Sequence, residues 1–418
     1  MLLNNVILGN KIVDILIENG KIVEIGRSDA EGIDCTGLTA VPAFCDMHTH
    51  LREPGQTAKE DIESGSSSAV AGGYADICCM PNTSPVIDKD YLVEYIKLKA
   101  EKVAKCNVHP IGAITEGSNG QVIAEMNKMR DKGAVAFSDD GKPVANPNVM
   151  KQALEYAKDL DALLLCHCED MSLTNGGVAN EGAMATALGL KGIVTASEEL
   201  DIAKQIILAE MLDTKVHICH ISTKGSVQLI REAKARGVKV SCETCPHYIA
   251  GTEALIDGYN TFAKVNPPLR TEEDRQAIIA GIVDGTIDVI ATDHAPHTKK
   301  DKDCLFEDSA NGISGLETAF SLCYTNLVKT GKISLAKLIN LMSIKPRQLL
   351  NLADNSIKVG NVASIALIDL DKFYKIDSKN FKSKGKNTPF NDFEVYGKVE
   401  KTIVNGLLRY EDGIVKWL

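Results

Sequence analysis

Asp46-Met47-His48-Thr49-His50 sets a carboxylate and two imidazoles at alternate positions of an apolar run. Side chains alternate along a strand, so all three point to one side, where two imidazoles can grip a single ion. Two surface histidines by chance is the plainer alternative. With only nine His in the chain, an i, i+2 pair where a strand should end favours a metal site. Three more apolar runs finish in matching donors: residues 162–166 lead to His167, 216–219 to His220 and 288–292 to Asp293. A lone His in such a place is ordinarily a satisfied core residue, the reading kept for His217. Two His at corresponding ends of successive units indicate a joint ligand role, and Asp293 completes the ring. Asp139-Asp140 follows residues 134–138. An acidic pair at a turn usually caps a helix or faces water, but beside four His and Asp293 one of these carboxylates can bridge two ions. Two metals sharing a carboxylate suit hydrolysis.

These residues need a scaffold that brings chain-distant positions together. Between about residues 42 and 350, short apolar strands alternate with helical stretches. Eight strands are expected to end near 46–50, 80–82, 114–115, 137–140, 165–167, 218–220, 241–243 and 290–293. Helices are expected over 90–105, 150–160, 197–212, 226–236 and 272–284. Eight βα units predict an α/β fold, a (β/α)₈ TIM-type barrel, in which the C-terminal strand ends share one face. Residues 1–41 and 351–418 read differently, as short β-rich runs broken by turns such as Asn19-Gly20 and Asn405-Gly406. Isolated hairpins are marginal, so both chain ends should pair into one small β-sandwich domain with the barrel inserted between them.

The 46 Lys+Arg and 56 Asp+Glu give a formal net charge of −10, which argues against nucleic acid or anionic lipid as a partner. No run has the roughly 18 apolar residues that span a membrane, and the first residues lack a signal-peptide pattern, so a cytoplasmic location is expected. Twelve cysteines, several inside apolar runs, do not form a disulfide framework. Cys242 and Cys245 have zinc or redox spacing but no second pair nearby, and are read as structural.

With four His and two Asp in place, the sequence resembles dihydroorotases of the bacterial class I type, within the amidohydrolase superfamily. The strings carrying the resemblance are Asp46-Met-His-Thr-His-Leu-Arg-Glu-Pro-Gly55, Met80-Pro-Asn-Thr83, Phe137-Ser-Asp-Asp-Gly141, His167-Cys-Glu-Asp170 and His220-Ile-Ser-Thr223. Lys264-Val-Asn-Pro-Pro-Leu-Arg270, Ile290-Ala-Thr-Asp-His-Ala-Pro-His297 and Gly315-Leu-Glu-Thr-Ala319 continue in the same order, so nearly the whole chain is covered.

The resemblance implies two Zn²⁺ per subunit, or one. His48, His50 and Asp293 would hold the first and His167 and His220 the second, with Asp140 as the bridge and Asp139 its neighbour. Many superfamily relatives bridge with a carboxylated Lys. This chain has none at that strand end, and Lys142 lies two residues further into the loop. Arg52 would bind the substrate carboxylate with Asn82 and His297, Asn266 would contact the pyrimidine ring, and Asn311 and Gly312 would contribute backbone groups. For Asn82 and Asn266, each beside a proline, the ordinary reading is a turn residue.

The implied activity is reversible cyclisation of N-carbamoyl-L-aspartate to L-dihydroorotate in pyrimidine biosynthesis, through metal-bound hydroxide with Asp293 as general acid and base. A homodimer, and association with aspartate transcarbamoylase, are implied partners. Two other readings compete: another cyclic amidohydrolase (hydantoinase, dihydropyrimidinase or allantoinase), and a non-catalytic homologue partnering aspartate transcarbamoylase. Arg52 argues against the first, because neutral hydantoins carry no carboxylate, and the complete ligand set argues against the second. His247 and His294 are assigned structural duty or support of the ligands, and residues 299–303 are read as a solvated loop or a lid.

Overall fold

In the computed structural model, which describes residues 1–417, the apolar runs become the staves of a barrel. The strands are β1 (Phe44–Thr49), β2 (Tyr74–Cys79), β3 (Asn107–Gly112), β4 (Ala136–Ser138), β5 (Leu164–Cys166), β6 (Val216–Ile218), β7 (Val240–Thr244) and β8 (Val289–Ile290). They pair in parallel in sequence order, and a bridge between Thr49 and His294 brings the continuation of β8 against β1, nearly closing the ring. Every residue of β1 and β2 is buried, as expected for parallel strands covered on both faces.

Apolar side chains from successive strands, among them Cys45, Met47, Cys78, Ala136, Leu165, Cys219 and Val289, pack as one cluster. Helices cover the outside, including Asp90–Val103, Pro147–Asp159, Ala196–Leu212, Lys224–Ala235 and Glu272–Asp284. Their starts are set locally. Asn146 accepts from the Asn148 backbone with Pro147 in the first turn, and Thr223, three residues after His220, caps the helix that follows β6.

Both chain ends enter one nine-stranded sheet. The join is Thr39–Pro42, which pairs antiparallel with Ile365–Lys375 and bridges in parallel to Leu2–Leu8. Leu3, Ile15 and Ile17 from the first half share a core with Ile365, Leu367 and Ile403 from the second. Asn19-Gly20 and Asn405-Gly406 have positive φ at both positions, the geometry that Asn-Gly hairpin turns supply. Between strands Ile365–Lys375 and Glu394–Val404, residues 376–393 leave the sheet and reach the loops above β8. No helix among the described residues is long and apolar enough to cross a membrane. All twelve cysteines are free thiols, and Cys304 is exposed.

Candidate active site

Apart from His48, which lies within β1, the chemistry-bearing residues lie just past the strand ends. His50 follows β1, Asp140 follows β4, His167 follows β5, His220 follows β6 and Asp293 follows β8. Arg52, His220 and Asp293 have φ of 60°, 32° and 47°, left-handed conformations that ordinary side chains avoid. Such strain persists only where the surroundings over-determine it. At Asp293 the hold comes from below: Asp46 accepts from the Thr292 amide at 3.2 Å, from its hydroxyl at 2.5 Å and from the His48 amide at 3.0 Å. Asp46 thereby ties β1 to the loop that presents Asp293, and burial pushes its carboxyl up to about 7.

Asp140 is the centre of the cluster. Its Oδ1 lies 3.3 Å from His48 Nε2 and 3.6 Å from both His167 Nδ1 and His220 Nε2, while its Oδ2 lies 3.6 Å from His50 Nε2. Asp293 Oδ1 is 2.9 Å from His50 Nε2 and 3.6 Å from His48 Nε2. His48 Nε2 and Asp140 Oδ1 are buried and make no hydrogen bond, to each other or elsewhere. Two donors on one tetrahedral zinc, each about 2.0–2.2 Å from the ion, sit about 3.4 Å from one another, so most of these spacings fit ligands turned toward a common ion. Three groupings could hold one: His48, His50 and Asp293; His48, Asp140 and His220; and His48, Cys219 and Glu243. The residues therefore fit a metal centre with Asp140 between two sets of imidazoles.

The electrostatics agree. Burial alone would raise the Asp140 carboxyl, but His48, His167 and His220 outweigh it and hold it well below the usual range. Asp293 is likewise lowered, burial being overcome by His50 and His48, so it stands ready as a carboxylate. Burial would lower His167, yet Asp140 and Glu169 raise it to about 10.

The outer nitrogens of the imidazoles are fixed by partners that sequence reasoning did not identify. Glu243, at the end of β7, lies 2.7 Å from His48 Nδ1 and 3.2 Å from His217 Nε2. Burial would raise this carboxyl, and the two imidazoles hold it below its usual range. Glu169 holds His167 Nε2 at 3.0 Å and also accepts from Asn266 Nδ2 at 3.0 Å. Such contacts choose the tautomer and aim the ring. For Glu243 the sequence held only a weak signal, a carboxylate within a strand of the barrel, where a charge must have a buried partner. Asn82, expected to face substrate, lines the cavity and also steadies the cluster: its Oδ1 meets His50 Nδ1 at 2.9 Å and its Nδ2 donates to Asp140 Oδ2 at 3.1 Å. Asp139 turns away from the cluster, accepting from the backbone of Ile114 and Thr115. Lys142 is exposed.

Above the cluster is a cavity of about 170 Å³. Its walls include Arg52, Asn82, Asn266, Asn311 and Gly312, so these join His50, Asp140, His167, His220 and Asp293 around one space. Arg52 is anchored through Nε to the Pro296 carbonyl at 3.3 Å. His297 donates from Nε2 to the Asn311 carbonyl at 2.8 Å and accepts at Nδ1 from Lys59 Nζ at 3.3 Å. Burial, with Arg52 and Lys59 alongside, pushes His297 down to about 3, so it is a neutral ring. Gly312 has φ 145°, and a Cβ there would lie 2.6 Å from the Ala295 carbonyl, which requires glycine.

Residues 299–303 differ from the solvated loop read from the sequence. Lys299–Lys302 forms one helical turn, and Lys302 turns inward, its Nζ donating to the carbonyls of Thr261 at 3.0 Å, Lys264 at 3.2 Å and Ala310 at 2.6 Å. His247 is buried and pushed down to about 4 by that burial, and His294 is held between Glu60 and the Gly315 amide. Burial raises the thiols of Cys242 and Cys245.

Residues 37–226 match a family model described as dihydro-orotase-like. A dihydroorotase of Acetivibrio thermocellus is 48% identical over 401 residues, spanning 95% of this chain and 94% of that protein. One from a Thermoanaerobacter species is 49% identical over 402 residues, spanning 95% and 93%. Among solved structures, the L-hydantoinase (dihydropyrimidinase) of Arthrobacter aurescens superposes with a TM-score of 0.89 at 26% identity, covering 100% of this chain and 97% of the other. The dihydropyrimidinase of Brevibacillus agri, at 23% identity and a TM-score of 0.84, shares the fold, with 99% of this chain and 95% of that one covered.

Proposed function

The chain belongs to the dihydroorotase family of amidohydrolases, and we propose that it interconverts N-carbamoyl-L-aspartate and L-dihydroorotate at the Asp140 cluster. The observation that carries this reading is one carboxylate, Asp140, within 3.3–3.6 Å of four imidazoles, beside Asp293 and beneath the Arg52-lined cavity. His48, His50 and Asp293 would hold one Zn²⁺, and His167 and His220 a second, with Asp140 shared. Zinc, when bound, supplies Lewis acidity toward the ring carbonyl and lowers the pKa of a water to about 7.

The remaining chemistry falls to the chain's own groups. In hydrolysis Asp293 accepts the proton released by the attacking water and returns it to the departing ring nitrogen. In ring closure the same carboxylate takes the ureido proton. Its lowered pKa keeps it ionised at neutral pH, and its left-handed backbone, pinned through Thr292 and Asp46, fixes its position. Arg52 would grip the ring carboxylate through its planar fork, with neutral His297 beside it adding no competing charge. Asn266, steadied by Glu169, would meet the ring amide, and backbone groups of Asn311 and Gly312 would close the far wall.

A cytoplasmic homodimer, with aspartate transcarbamoylase as a candidate associate, completes the proposal. The hydantoinase reading keeps the fold but leaves Arg52 without a role.

Metal analysis of the purified protein, with an equilibrium assay across pH, tests the proposal. Ring closure consumes a proton, so the dihydroorotate fraction should rise as pH falls. A pH-independent equilibrium ratio, or protein active without any bound transition metal, would overturn it.

A further inference from the structure

The excursion formed by residues 376–393 is a strap from the small sheet domain onto the mouth of the barrel. Ser383 donates to Glu60, and the Lys384 amide meets Glu60 Oε1 at 3.2 Å; Glu60 in turn holds His294, next to Asp293. Gly385 passes so close to the loop after β8 that a Cβ there would lie 2.5 Å from Pro296 Cβ. Two residues later comes Asn387, with 2% of its surface exposed.

The hydrogen bonds of Asn387 are unusual in where they go. Its Oδ1 accepts from the His297 amide at 2.9 Å and the Ser314 hydroxyl at 3.0 Å. Its Nδ2 donates to the carbonyls of Ala295 and Gly312, both at 3.0 Å, and its own carbonyl accepts from the Ser314 amide at 2.7 Å. All four side-chain valences are used, and they span two separate loops: the one carrying His297 and the one carrying Asn311-Gly312. These loops form one wall of the cavity, so a single buried amide sets their spacing. An apolar residue there would leave two carbonyls, one amide and the Ser314 hydroxyl without this partner, and the loops would have to part to find water.

We infer that Asn387 is a positioning residue for substrate binding, and that through it the small β domain is a working part of the active site. The inference rests on the dihydroorotase reading for the identity of the substrate. Asn387 lies behind the wall, so it acts through His297 and Gly312. Its loss should weaken capture of the anionic ring more than it slows the chemistry at Asp293.

The test is steady-state hydrolysis of L-dihydroorotate by wild type, Asn387→Ala, Asn387→Asp and, as a control on the exposed end of the same strap, Asn380→Ala. Both Asn387 variants should raise KM by about 10-fold or more with kcat within about threefold and metal content unchanged, while Asn380→Ala matches wild type. Equal loss of kcat and KM effects, or wild-type KM in both Asn387 variants, overturns the inference. A wild type without dihydroorotase activity instead overturns the functional reading. Should both Asn387 variants fail to fold, hydrogen exchange on wild type decides. With an equilibrium mixture of L-dihydroorotate and N-carbamoyl-L-aspartate, amides of residues 385–388 should slow together with those of 295–297 and 312–314. A strap indifferent to that mixture contradicts the role.

Discussion

The two ends of the barrel each bury a carboxylate among histidine and basic groups, and they resolve the problem in opposite ways. At the lower end Asp76 meets His109 Nε2 at 2.8 Å, Asn107 Nδ2 at 3.1 Å and the Arg347 guanidinium, so both its oxygens are partnered and its charge is matched within the chain. At the upper end Asp140 stands among four imidazoles at 3.3–3.6 Å with one oxygen unpartnered, and Asp293 is held in a strained conformation. The lower cavity, about 400 Å³, is larger than the upper one of about 170 Å³. Size therefore does not identify the site. Unresolved charge and strain do, because local rules are broken where a ligand completes the structure. The contrast also follows the general division in such barrels, chemistry at the C-terminal strand ends and stability at the other.

Substitutions can test that division. The largest effect should come from Asp293→Asn, with kcat for dihydroorotate about 1000-fold lower while ligand binding stays detectable by calorimetry. Asp76→Asn at the lower end should instead cost about 3 kcal/mol of stability, because Arg347 is left buried without its counter-charge, with kcat/KM near wild type. Urea unfolding and steady-state assays on the same preparation read both. If Asp76→Asn loses turnover in a stably folded protein, the two ends are not separable. Glu243→Gln should weaken metal retention about 10- to 100-fold in a chelator titration, since His48 loses the partner that aims it.

A further effect concerns pH. His297 in the fold titrates near 3 instead of the usual 6.5, so between those values the unfolded chain binds a proton that the folded chain does not. Stability should fall as pH drops through that window and be untouched by this group above 6.5. His297→Gln should make the decline between about pH 6.5 and about pH 4 shallower, as read from urea midpoints.

Much of this contrast was legible before the structure. His48, His50, His167, His220 and Asp293 stand out because donor side chains at the ends of apolar strands are rare and recur at matching positions. The eight βα units that gather them were legible from their rhythm. What could not be read is anything defined by a meeting of distant parts. Glu243 looks like one more strand residue until His48 is seen 2.7 Å away, and Asn82 looks like a turn until its amide is found between His50 and Asp140. Lys302 sits in a run of charges, and only its three buried carbonyl partners distinguish it from its exposed neighbours. Asn387 carries no local signal, since its role depends on a strap leaving one domain to meet another. Strain at Asp293 was likewise invisible, because strand alternation describes residues still in the ladder and Asp293 lies beyond β8.

The most direct measurement is the hydrolysis rate of the metal-replete protein on three rings: L-dihydroorotate, dihydrouracil and hydantoin. A site with Arg52 beside the Asp140 cluster should hydrolyse the carboxylate-bearing ring with kcat/KM at least about 1000-fold above either neutral ring, as expected when a buried charged group is left unpaired by the wrong substrate. Equal or faster turnover of hydantoin or dihydrouracil would contradict it.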